Sequence, residues 1–551
     1  VTSPPDYPDP AVIARLALPA AHPHDPDAGA GLEAVQTHLS HVFLSRRHVY
    51  KFRKAVRLSF VDFSTREERN ADCLREVALN RRLAPDVYLG VAPLLPDDAG
   101  LVVGEPRETL AGRTGPGGLV PEHCVVMRRL PAGRDALSLL EAGTLTPAQL
   151  ERLAERMAVF HDAHTLGTPA PFDPDDWLAR CTEPTEASFR AVAESGADGG
   201  AALPRARERA ESFVREHAER FERRRSHGRA VDAHGDLHLQ HVWFERDDAD
   251  PLVIDCLEFD VRLRHIDVAA EVAFTAMDLG YRGHRELAEL FLRRYARASG
   301  DFDLYNVVDF FVGYRAAVRA KVAAIAAGDP DIAEEQRRGA AESARRHVAF
   351  AADALARRPP GSLVLVGGIV GTGKSTLAEA LAERLDAGPG VAVVSSDRLR
   401  KRRAGLSPDE RTDSAPDAGL YAPDEVRRNY AALLEQARPV CASGRVAILD
   451  ATWSSRAERH RAIALAAELG ARPLFVEARC DAQIALERLR RRAQAGADPS
   501  DAGPERHAAS VARFEPLEGD ELVHRRVIPT DAPDWRDRLQ AIADELRTAA
   551  A

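Results

Sequence analysis

One stretch restricts the possible folds of this 551-residue chain more than any other: Gly367-Gly368-Ile369-Val370-Gly371-Thr372-Gly373-Lys374-Ser375-Thr376. It satisfies the pattern G-x-x-x-x-G-K-[ST] with Gly368, Gly373, Lys374 and Ser375. An apolar run, Leu363-Val364-Leu365-Val366, precedes it and a helical pattern opens at Thr376. A strand that feeds a glycine loop into a helix aims successive backbone N–H groups at one point, where the positive end of the helix dipole also lies. Such a cradle, here Gly368, Gly371, Thr372, Gly373 and Thr376, suits phosphate oxygens. Lys374 is placed for the β- and γ-phosphates and the Ser375 hydroxyl for a magnesium ion. The expected ligands are therefore ATP and Mg²⁺.

Around this loop the composition is that of an ordinary globular chain, 45% apolar and 29% charged. A net charge of −10 argues against general binding to nucleic acid or anionic membranes. The six cysteines are scattered without C-x-x-C spacing, which fits a reducing compartment and gives no zinc or disulfide pattern. The opening residues carry no basic-then-apolar leader and no apolar run approaches a membrane span, so a cytoplasmic location is expected. Only five of the 75 basic residues are lysines: Lys51, Lys54, Lys321, Lys374 and Lys401. Where arginine has otherwise taken over, a retained lysine marks a place that calls for a compact ammonium.

Taken in order, residues 1–31 are rich in Pro, Asp and Ala, with little periodicity beyond a short apolar helix at 11–18, and read as a loosely attached, flexible lead-in. A hairpin pattern follows, Val42-Phe43-Leu44 and His48-Val49-Tyr50-Lys51-Phe52, then a helix over 65–83. β-type runs are expected at 88–95, 100–103 and 123–127, and a loop at 112–118. Helical patterns dominate from 144 to about 225 and again from 267 to 358. Pro359-Pro360-Gly361 ends them abruptly, and 356–362 is expected to be a linker. Beyond it strands at 363–367, 391–396, 445–450, 473–478 and 525–528 alternate with helices, the signature of a parallel sheet covered on both faces.

A second constellation lies at His234-Gly235-Asp236-Leu237-His238-Leu239-Gln240-His241, followed by Leu252-Val253-Ile254-Asp255. Phosphoryl transfer to a hydroxyl needs one carboxylate near the acceptor and others that hold magnesium on the triphosphate. Asp236 and Asp255 suit those two tasks. His234-Gly235-Asp236 with Ile254-Asp255 resembles the aminoglycoside phosphotransferase family, whose fold is similar to that of protein kinases. The resemblance covers 32–355 and implies a bilobal α+β domain. By it Asp236, with His234 beside it, is the catalytic base and Asp255 a magnesium ligand. Lys51 and Glu76 are implied to be the phosphate-binding lysine and its helix partner, and Met127 falls at the hinge that faces the nucleotide. The family pattern ends in Asn five residues after the Asp, and here that position is His241. Imidazole is a borderline ligand where an amide oxygen is a hard one. His241 therefore stands as a candidate metal or phosphate ligand, and a regulatory, ligand-sensing pseudokinase stays open beside an active kinase.

The glycine-loop half has carboxylates of its own. Asp397 closes the run 391–396 and Asp450 closes 445–449, and in a doubly wound sheet those strand ends face the crevice that holds the phosphates. Asp450 suits magnesium and Asp397 an acceptor hydroxyl. Arg488 and Arg492, four apart on one helical face, suit a lid that neutralises a transferring phosphoryl group. Residues 363–551 resemble the small P-loop kinases of the zeta-toxin and polynucleotide-kinase type. The whole order resembles bacterial two-domain ATP-binding proteins. The expectation is thus a kinase-like bilobal domain followed by a doubly wound α/β P-loop domain. It would transfer the ATP γ-phosphate to a hydroxyl of a small polar substrate, with ATP hydrolysis as a possible accompanying activity.

Overall fold

The computed structural model describes residues 10–58, 61–97, 100–112, 120–196, 200–407, 410, 419–495 and 503–550. The loop expected at 112–118 lies almost wholly outside them. Two compact units result: one comprises the chain up to Arg156 with 160–171 and 228–275, and the other 157–159, 172–227 and everything from Ala276 onward.

The first unit is built on an antiparallel sheet of β1 (Glu33–Gln36), β2 (Ser40–Leu44), β3 (His48–Arg53), β4 (Tyr88–Asp97), β5 (Gly100–Val103) and β6 (His123–Arg128). The spatial order is β1-β2-β3-β6-β4-β5. Helix α1 (Arg66–Asn80) separates β3 from β4 and starts where the Thr65 side chain caps the Glu68 N–H. One face of the sheet buries Phe43, Tyr50, Phe52, Leu94 and Val126, and Ile13 and Leu16 join that cluster. The expectation of a loose lead-in therefore needs correction for residues 10–31. Ile13 of a short helix, Pro10–Arg15, is buried against the sheet together with Leu16, and the His22 imidazole bonds the Leu16 carbonyl at 2.7 Å. The apolar helix expected at 11–18 is present as Pro10–Arg15, and the Pro and Asp content hid only its docking on the sheet. The other face packs Cys73 and Val77 of α1 against Val91, Val125 and Met127. Two short ribbons, 230–232 with 265–267 and 242–243 with 252–253, carry the His234–Asp255 segment.

The second unit joins helices to the glycine-loop sheet. Its helices include α2 (Arg285–Ser299), α3 (Val308–Gly328) and α4 (Glu334–Ala354). The sheet follows: β7 (Ser362–Gly367), α5 (Lys374–Leu385), β8 (Val391–Ser395), α6 (Ser396–Arg403), α7 (Pro423–Ala442), β9 (Val446–Asp450), β10 (Arg472–Arg479), α8 (Ala482–Ala495), α9 (Glu505–Arg513) and β11 (Arg525–Pro529). Its order is β8-β9-β7-β10-β11, all parallel. Val364, Val366, Val393, Ile448 and Val476 point to one face, where α5 and the helix Trp535–Ala550 cover them. Leu363 and Leu365 point to the other, beneath Ala462 and Ile463. Both faces are covered, which explains continuous apolar runs without alternation.

The segment 356–362, expected to be a linker, is packed. Gly361 N donates to the Cys441 carbonyl at 2.8 Å, and a Cβ on Gly361 would lie 2.0 Å from the Arg445 carbonyl oxygen. Proline and glycine stop the helix here, but they serve close backbone approach rather than freedom of movement.

Candidate functional sites

Each unit brings together one set of the residues singled out above. In the second, β7 delivers the chain into the loop 367–373. Gly368 has φ of +138°, and a Cβ there would stand 2.4 Å from the Ala478 carbonyl oxygen, so only glycine fits. Thr372 is buried and its hydroxyl donates to the Ile369 carbonyl at 2.8 Å, so this side chain shapes the loop. Lys374 Nζ donates to the same carbonyl at 3.1 Å, and burial depresses its pKa. The Lys374 side chain is thus folded back along the loop, within reach of phosphate oxygens that would replace the carbonyl.

A cavity of about 520 Å³ opens over this loop. Gly371, Gly373, Lys374, Ser375 and Thr376 line one side, and Asp397, Asp450, Arg488 and Arg492 line it as well. Asp450 ends β9 beside the Ser375 hydroxyl, and burial, only partly offset by that hydroxyl and by Lys374, raises its pKa to about 6. The hydroxyl and the carboxylate are hard oxygen donors beside the glycine loop and Lys374, so these residues fit ATP and Mg²⁺. Asp397 sits in the first turn of α6 and accepts from Arg400 at 2.7 Å. Arg488 departs from the lid expectation: it donates to the Thr530 hydroxyl and carbonyl, both at 2.9 Å, and Thr530 in turn donates to the Thr372 carbonyl at 2.6 Å. It is thereby fastened to the loop from the end of β11.

Three cavity residues escaped the sequence reading. The Tyr421 ring lies between two guanidinium groups, with Arg400 Cζ at 4.6 Å and Arg506 Cζ at 4.0 Å from its centroid. The residues come from three separate segments, and no spacing rule connects them.

In the first unit, Lys51 on β3 donates to Glu76 on α1 at 2.9 Å and to Asp255 at 3.0 Å. The pairing is embedded in a buried network. Arg53 donates to Asp72 and Glu76, both at 2.6 Å, and to Glu258. Burial among these acids raises the Glu258 pKa to about 8. Lys51 first of all holds the Asp255 carboxyl far below the usual range. Asp255 has φ of +63°, and its N–H is held by the Tyr88 hydroxyl at 3.2 Å.

The His234-Gly235 turn is clamped by the buried Glu271, whose carboxylate accepts from both backbone N–H groups at 3.0 Å. Gly235 has φ of +88°, and a Cβ would come within 2.9 Å of the Leu263 carbonyl oxygen. His234 Nε2 bonds the Ile254 carbonyl at 2.9 Å, tying the Asp236 segment to the Asp255 segment. Burial drives its pKa down to about 3, which leaves it neutral and makes it a structural tie. Asp236 stays ionised: burial opposes this, but a hydrogen bond from His238 and the nearby imidazoles outweigh it. His241 Nε2 lies 3.5 Å from Asp255, and His241 Nδ1 bonds the Asp236 carbonyl at 2.9 Å. Met127, expected at the hinge, lies within the sheet. It pairs with Val49 and Tyr88 inside the sheet and buries its side chain in the core.

Comparison with known proteins divides the chain by sequence rather than by the two compact units. Residues 48–311 match the phosphotransferase enzyme family and residues 363–517 an AAA domain. Solved structures that align include choline kinase from Cryptosporidium parvum Iowa II. It is 11% identical with a TM-score of 0.37, over 61% of this chain and 93% of that one. A gluconokinase from Sinorhizobium meliloti 1021 is 22% identical with a TM-score of 0.24, over 35% of this chain and 95% of that one. Uncharacterized proteins of Mycobacterium tuberculosis (Rv2004c, strain ATCC 25618 / H37Rv) and Mycobacterium bovis (Mb2027c) are each 34% identical over 88% of this chain and 90% of their own length. The chain, which joins a kinase-like phosphotransferase domain to a P-loop kinase domain, belongs to the family of these mycobacterial proteins.

Proposed function

We propose that the protein is an ATP-dependent phosphotransferase whose P-loop site passes the γ-phosphoryl group to a hydroxyl of a small polar acceptor. The observation that carries this reading is the single cavity holding the loop residues Lys374 and Ser375, the buried Asp450 and the helix-borne Asp397. Phosphoryl transfer asks a protein chiefly to position groups and to neutralise charge. Lys374 and the loop N–H groups bind and orient the triphosphate, and Arg488, fixed by Thr530, lies beside Gly373 to balance charge on the moving group. A magnesium ion, held by Ser375 and Asp450, would supply Lewis-acid polarisation of the phosphates. Asp397 is the carboxylate positioned to orient the acceptor hydroxyl and take its proton. Arg400, Arg506 and Tyr421 line the same cavity. They favour an acceptor that carries negative charge of its own, such as a carboxylated or phosphorylated alcohol.

The test is a screen of labelled ATP against hydroxyl metabolites, run with the full chain and with Asp397→Asn and Asp236→Asn. Loss of transfer in Asp397→Asn with retention in Asp236→Asn supports the P-loop assignment. Transfer that survives Asp397→Asn and Lys374→Ala but not Asp236→Asn moves the chemistry to the first unit. A second reading is favoured by His241: the first unit binds nucleotide or a cation in a regulatory role and transfers nothing.

A further inference from the structure

The fold family of the first unit implies Mg²⁺ between the Asp236 and Asp255 segments, and the residues present do not fit it well. Magnesium demands six oxygen ligands in near-ideal octahedral geometry. Here two imidazoles occupy the place. Asp236 Oδ2 lies 3.6 Å from His238 Nε2 and 3.5 Å from His241 Nδ1, and one ligand atom each of Asp236, His238 and His241 falls within 4.8 Å of the others. Asp255 Oδ2 adds a second carboxylate oxygen, 3.5 Å from His241 Nε2, while its other oxygen is held by Lys51.

The orientation of His241 decides the chemistry. Its Nδ1 lies 2.9 Å from the Asp236 carbonyl oxygen, an acceptor only, so that nitrogen carries the proton and donates. The Nε2 lone pair is then free and faces Asp255. Metal-bound histidines are usually held this way, with the second ring nitrogen donating to a carbonyl or carboxylate that fixes the tautomer. The His238 and His241 rings lie 3.9 Å apart, with Asp236 beside them in the same cluster. Bonds of about 2.0–2.2 Å to nitrogen and oxygen in a tetrahedral site set ligand atoms about 3.3–3.6 Å apart. The His238 Nε2–Asp236 Oδ2 and His241 Nε2–Asp255 Oδ2 separations of 3.6 and 3.5 Å fall in that range.

We infer that the first unit binds a first-row transition-metal dication, of the manganese, cobalt or zinc class, through Asp236, His238, His241 and Asp255, in preference to magnesium. The inference is independent of the P-loop reading, because the cation is titrated without nucleotide or acceptor. Bound this way the ion engages Oδ2 of Asp236, an atom that a general base would need. The site is then one in which metal occupancy and base chemistry compete.

The test uses the full chain in nucleotide-free buffer. Calorimetric titration with MnCl₂ and with MgCl₂ is expected to give an affinity for Mn²⁺ at least about tenfold above that for Mg²⁺. Pulsed electron paramagnetic resonance of bound Mn²⁺ is expected to show ¹⁴N coupling from imidazole. His241→Asn, which keeps shape and supplies an amide oxygen, should reduce the nitrogen coupling and bring the two affinities closer together. His238→Ala should reduce the coupling as well. Equal affinities in the unsubstituted protein, or bound Mn²⁺ without any ¹⁴N coupling, would overturn the inference. So would ¹⁴N coupling that is unchanged in both variants.

Discussion

Arg293 on α2 donates to Asp386 Oδ2 at 2.8 Å, directly beyond the last turn of the glycine-loop helix α5. The same arginine donates to Glu379 on α5 at 2.9 Å, joined there by Arg294 at 3.2 Å and Arg297 at 3.1 Å. Arg445, ahead of β9, repeats the pattern in reverse by donating to Glu289 on α2 and Asp309 on α3. The helix that starts with Lys374 and Ser375 is therefore held by charges from another part of the chain.

Removing one partner of a buried ion pair leaves an uncompensated charge, at a cost of about 3–5 kcal/mol. Arg445→Ala strands Glu289 and Asp309 and is expected to lower stability by that amount, read from chemical denaturation of the full chain. A fragment of residues 363–551 loses all of these partners at once. It should fail to give a cooperative thermal transition, whereas a fragment beginning at Ala276 keeps both networks and should melt cooperatively.

Nucleotide binding separates the two sites. Lys374→Ala is expected to remove one of two calorimetric binding events for ATP and to leave the melting temperature in the absence of nucleotide nearly unchanged. Gly368→Ala should remove the same event. In addition, it should cost on the order of 1–3 kcal/mol of stability, because it forces both a positive φ and a clash with the Ala478 carbonyl. Observation of a single event in the unsubstituted protein would sink the two-site reading.

His123 gives the fold a specific acid sensitivity. It is buried, its Nε2 accepts from Ala111 N at 2.9 Å and its Nδ1 bonds the Pro121 carbonyl at 2.8 Å. A protonated ring has no lone pair for Ala111, and burial lowers the pKa to about 4. The folded value lies below the unfolded one of about 6.5, so the unfolded chain takes up the proton first. This stability is fully present above pH 6.5 and is lost as pH falls toward 4, by about 2 kcal/mol at pH 5. His123→Gln should be less stable than the native protein at pH 8, and that difference should shrink at pH 5. A constant difference between the two pH values would disprove the assignment.

Tyr421 ties two arginines together in the cavity over the glycine loop. Tyr421→Ala removes both cation–π contacts, each worth about 0.5–2 kcal/mol. With the hydroxyl compound that the screen identifies, KM for the acceptor should rise about five- to tenfold while KM for ATP changes little. An equal effect on both would place Tyr421 in general stability of the fold.

Much of this was legible along the chain because its causes are local. Gly368, Gly373, Lys374 and Ser375 are neighbours, and a strand–loop–helix turn forms from that segment and the runs on either side. The His234–Asp255 segment is likewise read from short spacings. The scarcity of lysine picked out Lys51, which meets Glu76 and Asp255. In the lead-in the short apolar helix was legible but its docking was not, because in a helix of six residues, Pro10–Arg15, only the partner sheet decides that Ile13 is buried. Met127 failed because a position before a hinge and a position inside a sheet have the same local sequence.

What the sequence determined by itself was the nature of each half: the phosphate cradle, the parallel sheet around it, and the chemical types available at His234–His241. The tertiary structure alone decided which charges are buried together. Arg53 with Glu258, Arg445 with Glu289, and Tyr421 between Arg400 and Arg506 each join segments that no sequence spacing relates. An arginine on a helix face carries the same local pattern whether water or a carboxylate solvates it. Only the fold, by excluding the water, turns that pattern into an interaction that matters.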